Sequence, residues 1–166
     1  VPKSSDLAAF LGEVRLFSHL TLHDREALAA SMREQTLRNG QVLFRNGDPG
    51  DEMFLVRSGT VLISKPVKVT VDQVLARMGA GDFFGEMSLF DHAPRSATVQ
   101  AETDVTLVVL SRENLRELTT TSPHAAAAFF EALVHVFIER LRQSGELVAE
   151  VTRWGLEATG LDVDPR

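Results

Sequence analysis

Apolar positions within residues 6–32 recur at helical spacing: Leu7, Phe10, Leu11, Val14 and Phe17 share a face, and TLHDREALAASM opens on Thr21, whose hydroxyl suits a helix N-cap. The pattern predicts a helical preamble. From Gln41 to Leu110 the period changes to short apolar or alternating runs (QVLFR, EMFLVRSGTVLISK, VKVTV, QVLARM, SATVQA, DVTLVVL) broken by glycine, proline and aspartate. Strands so short and so regularly interrupted predict an antiparallel sandwich or barrel. In RNGDPGD and RSGT, Gly47, Gly50 and Gly59 occupy places where hairpin turns call for φ above zero. The polar, β-branched stretch PVKVTVD, residues 66–72, predicts an exposed ribbon.

After Leu110 the helical period returns. Ser111 can cap RENLREL, and Ser122 precedes Pro123, which at a first helical position forfeits no hydrogen bond. The helix that follows is long, with Phe130, Val134, Phe137, Leu141, Val148 and Val151 on a heptad seam and Ser144 as its weak position. Phe129, Leu133, Val136 and Ile138 broaden the apolar surface, so the helix is expected to touch both its own β-domain and a second copy of the chain. Gly145 marks the place where it should bend or stop.

Composition narrows the function. Seventeen basic against twenty-three acidic residues give a net charge of −6, which repels a polyanion at long range and argues against nucleic acid as a partner. From Leu141 onward three arginines stand against five acidic residues, so no basic tail reverses this. The absence of cysteine fits a reducing, cytoplasmic setting. The apolar runs fall well short of the roughly twenty residues that insert into a bilayer. An opening Val1 in place of Met reads as a piece of something longer.

One segment carries chemistry: GDFFGEMSLFDHAPRSATVQ, residues 81–100. Two phenylalanines should end a buried strand, Gly85 should turn the chain, and EMSLF should form a short helical turn with backbone N–H groups aimed at an anion. Glu86 repels a phosphate but accepts hydrogen bonds from hydroxyls such as those of a ribose. Arg95 supplies a guanidinium fork suited to two phosphate oxygens. Taken alone, the pair also fits a simple ion pair across a hairpin.

These residues resemble the phosphate-binding cassette of the cyclic nucleotide-binding domain family. The match runs through Phe84, Gly85, Glu86, Met87, Ser88 and Leu89, then Pro94, Arg95, Ser96, Ala97 and Thr98, and similarity extends over roughly residues 6–145. The resemblance implies an α+β fold, an antiparallel β-roll of jelly-roll type flanked by N-terminal helices and a long C-terminal helix. Its segments would be 1–34, a β-roll over 35–110 containing the cassette at 84–98, and C-terminal helices over 111–166. It implies that Arg95 pairs with the exocyclic oxygens of a cyclic phosphate and that Glu86, with the Gly85 backbone, takes the ribose 2′-hydroxyl. Ser88 and Ser96 would complete the cradle with backbone N–H groups, and Met87 and Val99 would line purine and sugar. Ser96 after the arginine favours cAMP, with cGMP as the alternative because a serine hydroxyl also reaches a guanine amino group. The family resemblance further implies a ligand-sensing module whose C-terminal helix moves over the base, with a homodimer formed through that helix. Its parent would be a larger bacterial protein such as a transporter or channel, tethered to a membrane domain without inserting itself, or alternatively a transcription regulator cut short of its DNA-binding part.

Other residues add nothing catalytic. His19, His23, His92, His124 and His135 form no H-x-H pair, so no metal is expected, and Ser88 and Ser96 have no nearby base to activate them. The expectation is a binding module rather than an enzyme. Trp154 lies beyond the family's core match and reads as an ordinary partly buried aromatic, the alternative being a helix face set against a neighbour.

Overall fold

The computed structural model describes residues 4–68 and 71–158. They form two compact units, one up to Phe129 and one from Phe130. The first begins with α1 (Ser4–Glu13), a 3-10 turn (Arg15–Phe17) and α2 (Leu22–Ser31). Thr21 caps α2 as expected, its hydroxyl accepting from the Asp24 N–H at 3.2 Å.

Eight strands follow: β1 (Arg33–Leu37), β2 (Val42–Phe44), β3 (Glu52–Ser58), β4 (Val61–Lys68), β5 (Val71–Met78), β6 (Phe83–Phe84), β7 (Thr98–Ala101) and β8 (Val105–Ser111). They build two four-stranded antiparallel sheets, in the orders β1-β8-β3-β6 and β2-β7-β4-β5. Leu37, Phe54, Val56, Phe84, Leu107 and Val109 from the first meet Val61, Val99 and Ala101 from the second in one apolar cluster. The sheets therefore pack face to face, which is the β-roll expected from the sequence.

The inner strands of the first sheet, β3 and β8, are buried on both faces. Met53 and Leu55, which alternate with the cluster residues of β3, and Val108 and Leu110 on β8 are at most 1% exposed. Burial on both sides is why these strands read as unbroken apolar runs rather than alternation. β1 was absent from the strands predicted, because REQTL buries only Leu37 and so carries no apolar period. Its register with β8, Arg33 against Val109 through Leu37 against Val105, holds it in place. PVKVTVD lies on the β4–β5 hairpin, and the exposure expected of it falls largely outside the described side chains.

Gly47 and Gly59 have φ of +92° and +83°, as the turn reading required. Gly50 does not belong with them: its φ is not positive, so a turn is not the reason for glycine there.

Ser111 caps α3 (Arg112–Thr121) through a reciprocal capping box with Asn114. α4 runs from Pro123 to Ala158 and does not stop at Gly145. One glycine costs about 1 kcal/mol relative to alanine, which its helix-forming neighbours outweigh. Before α4 leaves the first unit, Phe129 packs its ring 5.3 Å from that of Phe17. In the second unit Val134, Leu141, Val148, Val151 and Trp154 are all more than half exposed. Among the described residues no helix is long and apolar enough to cross a membrane.

Candidate functional site

Among the described residues, the buried polar or charged ones are Glu86, Ser88 and Arg95, at 5%, 5% and 6% exposure. All three lie in the segment the sequence singled out. Burying a polar group is unfavourable unless it is paired, so a fold that gathers them in one place is keeping them for a ligand or for each other.

The site begins at β6, which pairs with β3 so that Phe84 lies opposite Phe54, their rings stacked at 5.4 Å. Gly85 then turns the chain with φ +77°. A Cβ there would also come within 3.2 Å of the Glu52 carbonyl oxygen and 2.9 Å of Arg95 Nη1, so glycine is required for conformation and for space. Glu86–Leu89 forms the short helical turn expected, of 3-10 type, closed by hydrogen bonds such as Phe90 N–H to the Met87 carbonyl at 3.0 Å. Glu86 and Ser88 point inward while Met87 is 55% exposed.

Arg95 reaches this turn from a loop fixed at its backbone. Its N–H donates to the Asp48 carbonyl and its carbonyl accepts from the Gly47 N–H, each at 2.8 Å. Its Nη1 donates to the carbonyl of Glu52 at 2.8 Å, to Ser88 Oγ at 3.2 Å and to the carbonyl of Gly85 at 3.5 Å. Cζ stands 4.2 Å from the centre of the Phe44 ring. Nε is buried with no hydrogen-bond partner. Burial pushes the guanidinium pKa down, opposed by the fields of Glu52, Asp51 and Asp48, and arginine still stays protonated at neutral pH. The hydrogen bonds of Arg95 thus end on carbonyls and a hydroxyl, not on a carboxylate. A simple Glu86–Arg95 ion pair is not what this geometry shows.

Of the other residues singled out, Phe84 is buried in the apolar cluster beside Val99, whose exposure is 2%. Ser96 is exposed and Ala97 half-buried, next to the start of β7. The Ser88 N–H is directed to the Gly85 carbonyl at 3.3 Å, and its hydroxyl holds Arg95.

Three contributors escaped the sequence reading: Phe44, Gly50 and Arg112. Arg112 opens α3, yet its guanidinium turns back to the cassette. It donates from Nη2 to the carbonyls of Ser88 at 2.8 Å and Asp91 at 3.1 Å, and from Nε to the carbonyl of Leu89 at 3.1 Å. Its Nη1 lies 3.2 Å from His92 Nδ1. The available signal was an arginine in a first helical turn, where the helix dipole disfavours a cation.

The cyclic nucleotide-binding domain model matches residues 34–122, more than half of the chain. A cyclic nucleotide-gated potassium channel of Mesorhizobium japonicum is 39% identical over 102 residues, 61% of this chain and 27% of that protein. A CRP-like cAMP-activated global transcriptional regulator of Mycobacterium tuberculosis is 30% identical over 125 residues, 75% of this chain and 54% of that one. The chain therefore spans about a quarter to a half of the length of these relatives. A cyclic nucleotide-binding domain from Methylobacillus flagellatus superposes with a TM-score of 0.76 at 27% identity, covering 89% of this chain and 83% of that one. On the family match and the architecture together, this chain belongs to the cyclic nucleotide-binding domain family, whose members are regulatory modules.

Proposed function

We propose that the chain is a sensor for a cyclic mononucleotide, cAMP in preference to cGMP, with no catalytic step of its own. The phosphate sits against Arg95, the ribose 2′-hydroxyl donates to Glu86, and Met87 and Ser96 flank the ligand. The observation that carries this reading is the buried guanidinium of Arg95, which no carboxylate contacts and which donates to Ser88 in the same short turn as the buried Glu86. An anion completes the guanidinium, and hydroxyls carried beside that anion reach the Glu86 carboxylate. Ser96 after the arginine supports cAMP, as does the cAMP-activated regulator among the relatives. Placement within a larger protein, a channel or transporter rather than a shortened regulator, is supported by the channel relative.

Output passes to the helices that follow β8. A ligand that moves a two-state helix from 1:99 to 99:1 must favour one state by about 5.5 kcal/mol. Self-association through α4 is supported by the exposed seam of Val134, Leu141, Val148 and Val151. The test is calorimetric titration with cAMP and cGMP. Wild type binds cAMP more tightly, and Arg95→Ala loses on the order of 2 to 5 kcal/mol of binding while remaining folded. Unchanged affinity in Arg95→Ala would overturn the assignment.

A further inference from the structure

Gly50 has no turn to make, yet nothing larger fits where it stands. A Cβ on Gly50 would lie 2.2 Å from Arg95 Nε, 2.4 Å from Cζ and 2.5 Å from Nη2, all far inside van der Waals contact. The guanidinium thus rests against bare main chain on this side, while the Phe44 ring stands 4.2 Å from Cζ and Nη1 is tied to Glu52, Ser88 and Gly85. The Nε that a methyl on Gly50 would strike is itself buried and has no hydrogen-bond partner.

We propose that Gly50 is a positioning residue for ligand recognition: by lacking a side chain it seats the Arg95 guanidinium where the cyclic phosphate is received. The inference rests on the reading that Arg95 binds that phosphate. The three atoms a methyl would strike belong to a side chain, not to backbone. Arg95 therefore swings away while its main-chain bonds to Asp48 and Gly47 persist, and the fold survives with its anion-binding group displaced. Gly85 also crowds Arg95, but its φ of +77° would confound any substitution with backbone strain.

The experiment compares wild type, Gly50→Ala, Arg95→Ala, the double variant and Gly79→Ala, measuring cAMP affinity by calorimetry and stability without ligand by urea unfolding. Gly79 is the control, having open space around its Cβ position and no positive φ. Gly50→Ala is expected to weaken cAMP binding on the order of 10- to 100-fold, as befits misplaced charge-assisted hydrogen bonds, and Gly79→Ala to leave it unchanged. In the Arg95→Ala background the collision is gone, so adding Gly50→Ala should not lower stability and should raise it slightly by restricting the unfolded chain. Wild-type affinity in Gly50→Ala, with Arg95→Ala unable to bind, overturns the positioning role alone. Wild-type affinity in Arg95→Ala overturns the phosphate assignment beneath it. Should Gly50→Ala fail to fold, recovery of folding in the double variant supports the proposal and failure to recover overturns it.

Discussion

Replacing Arg95 by methionine should make the ligand-free protein more stable while removing its response to cAMP. Two effects oppose each other. Removing the guanidinium relieves the desolvation of a cation that is 6% exposed and whose Nε has no partner. The effective penalty for burying one ion is several kcal/mol. Against this, the Glu52 carbonyl at 2.8 Å and Ser88 Oγ at 3.2 Å lose their donor. Charge-assisted bonds contribute about 1.5 to 3 kcal/mol each, and the 3.2 Å contact to a hydroxyl that can rotate to another partner belongs at or below the low end. Methionine recovers the apolar contact with Phe44 and Phe54, since its flexible thioether packs well against rings. The balance is a gain of about 1 kcal/mol, or a rise in Tm of about 2–4 °C for a domain of this size. The assay is urea unfolding and thermal melting, with and without cAMP. Wild type at a hundred times its Kd gains about 2.7 kcal/mol from ligand; the variant should gain nothing. A ligand-free variant less stable than wild type by 1 kcal/mol or more would refute the claim that the site holds its cation at a cost.

Arg112→Ala should cost about 3 kcal/mol, because two partly buried carbonyls, of Ser88 and Leu89, lose charged donors at the low end of their usual value; urea unfolding measures it, and a change under 0.5 kcal/mol would show that the cassette does not depend on α3. Leu141→Glu, on an exposed seam position, should abolish self-association seen by analytical ultracentrifugation and leave cAMP affinity intact. Acidification tests Asp24, whose carboxyl is held below the usual carboxylate range chiefly by the Thr21 hydroxyl and also by that of Ser122. A depressed folded-state pKa means that its contribution is present above the unfolded value of about 3.9 and is lost as pH falls through the folded one. Asp24→Asn should therefore flatten the loss of stability below about pH 4 in unfolding curves recorded against pH.

Much of this molecule is local, and what is local could be read. The caps at Thr21 and Ser111, the turn at Gly85 and the 3-10 segment after it each follow from residues within four positions of one another. Glu86 and Arg95, buried polar residues in the structure, stood out in the sequence as candidates because the cassette is a short motif. β1 was not, since its place depends on register with β8 and not on its own apolar period. The stop expected at Gly145 does not occur, because a long helix spreads one local penalty over many favourable neighbours. Gly50, Phe44 and Arg112 contribute across separations of 45, 51 and 24 positions from Arg95 or Ser88. Only a folded chain brings them to the cassette, and Gly50 was visible as a glycine but assigned the wrong reason.

Among the described residues, interior polarity is concentrated in Glu86, Ser88 and Arg95, which leaves the interior shared by the two sheets as a hydrocarbon chassis. Ligand preference is then a replaceable part. On the proposed reading, a cassette rewritten outside Phe84 and transplanted with the short loop that carries Gly50 would give the same frame a different chemical sense while the core contacts of Phe84 stay in place.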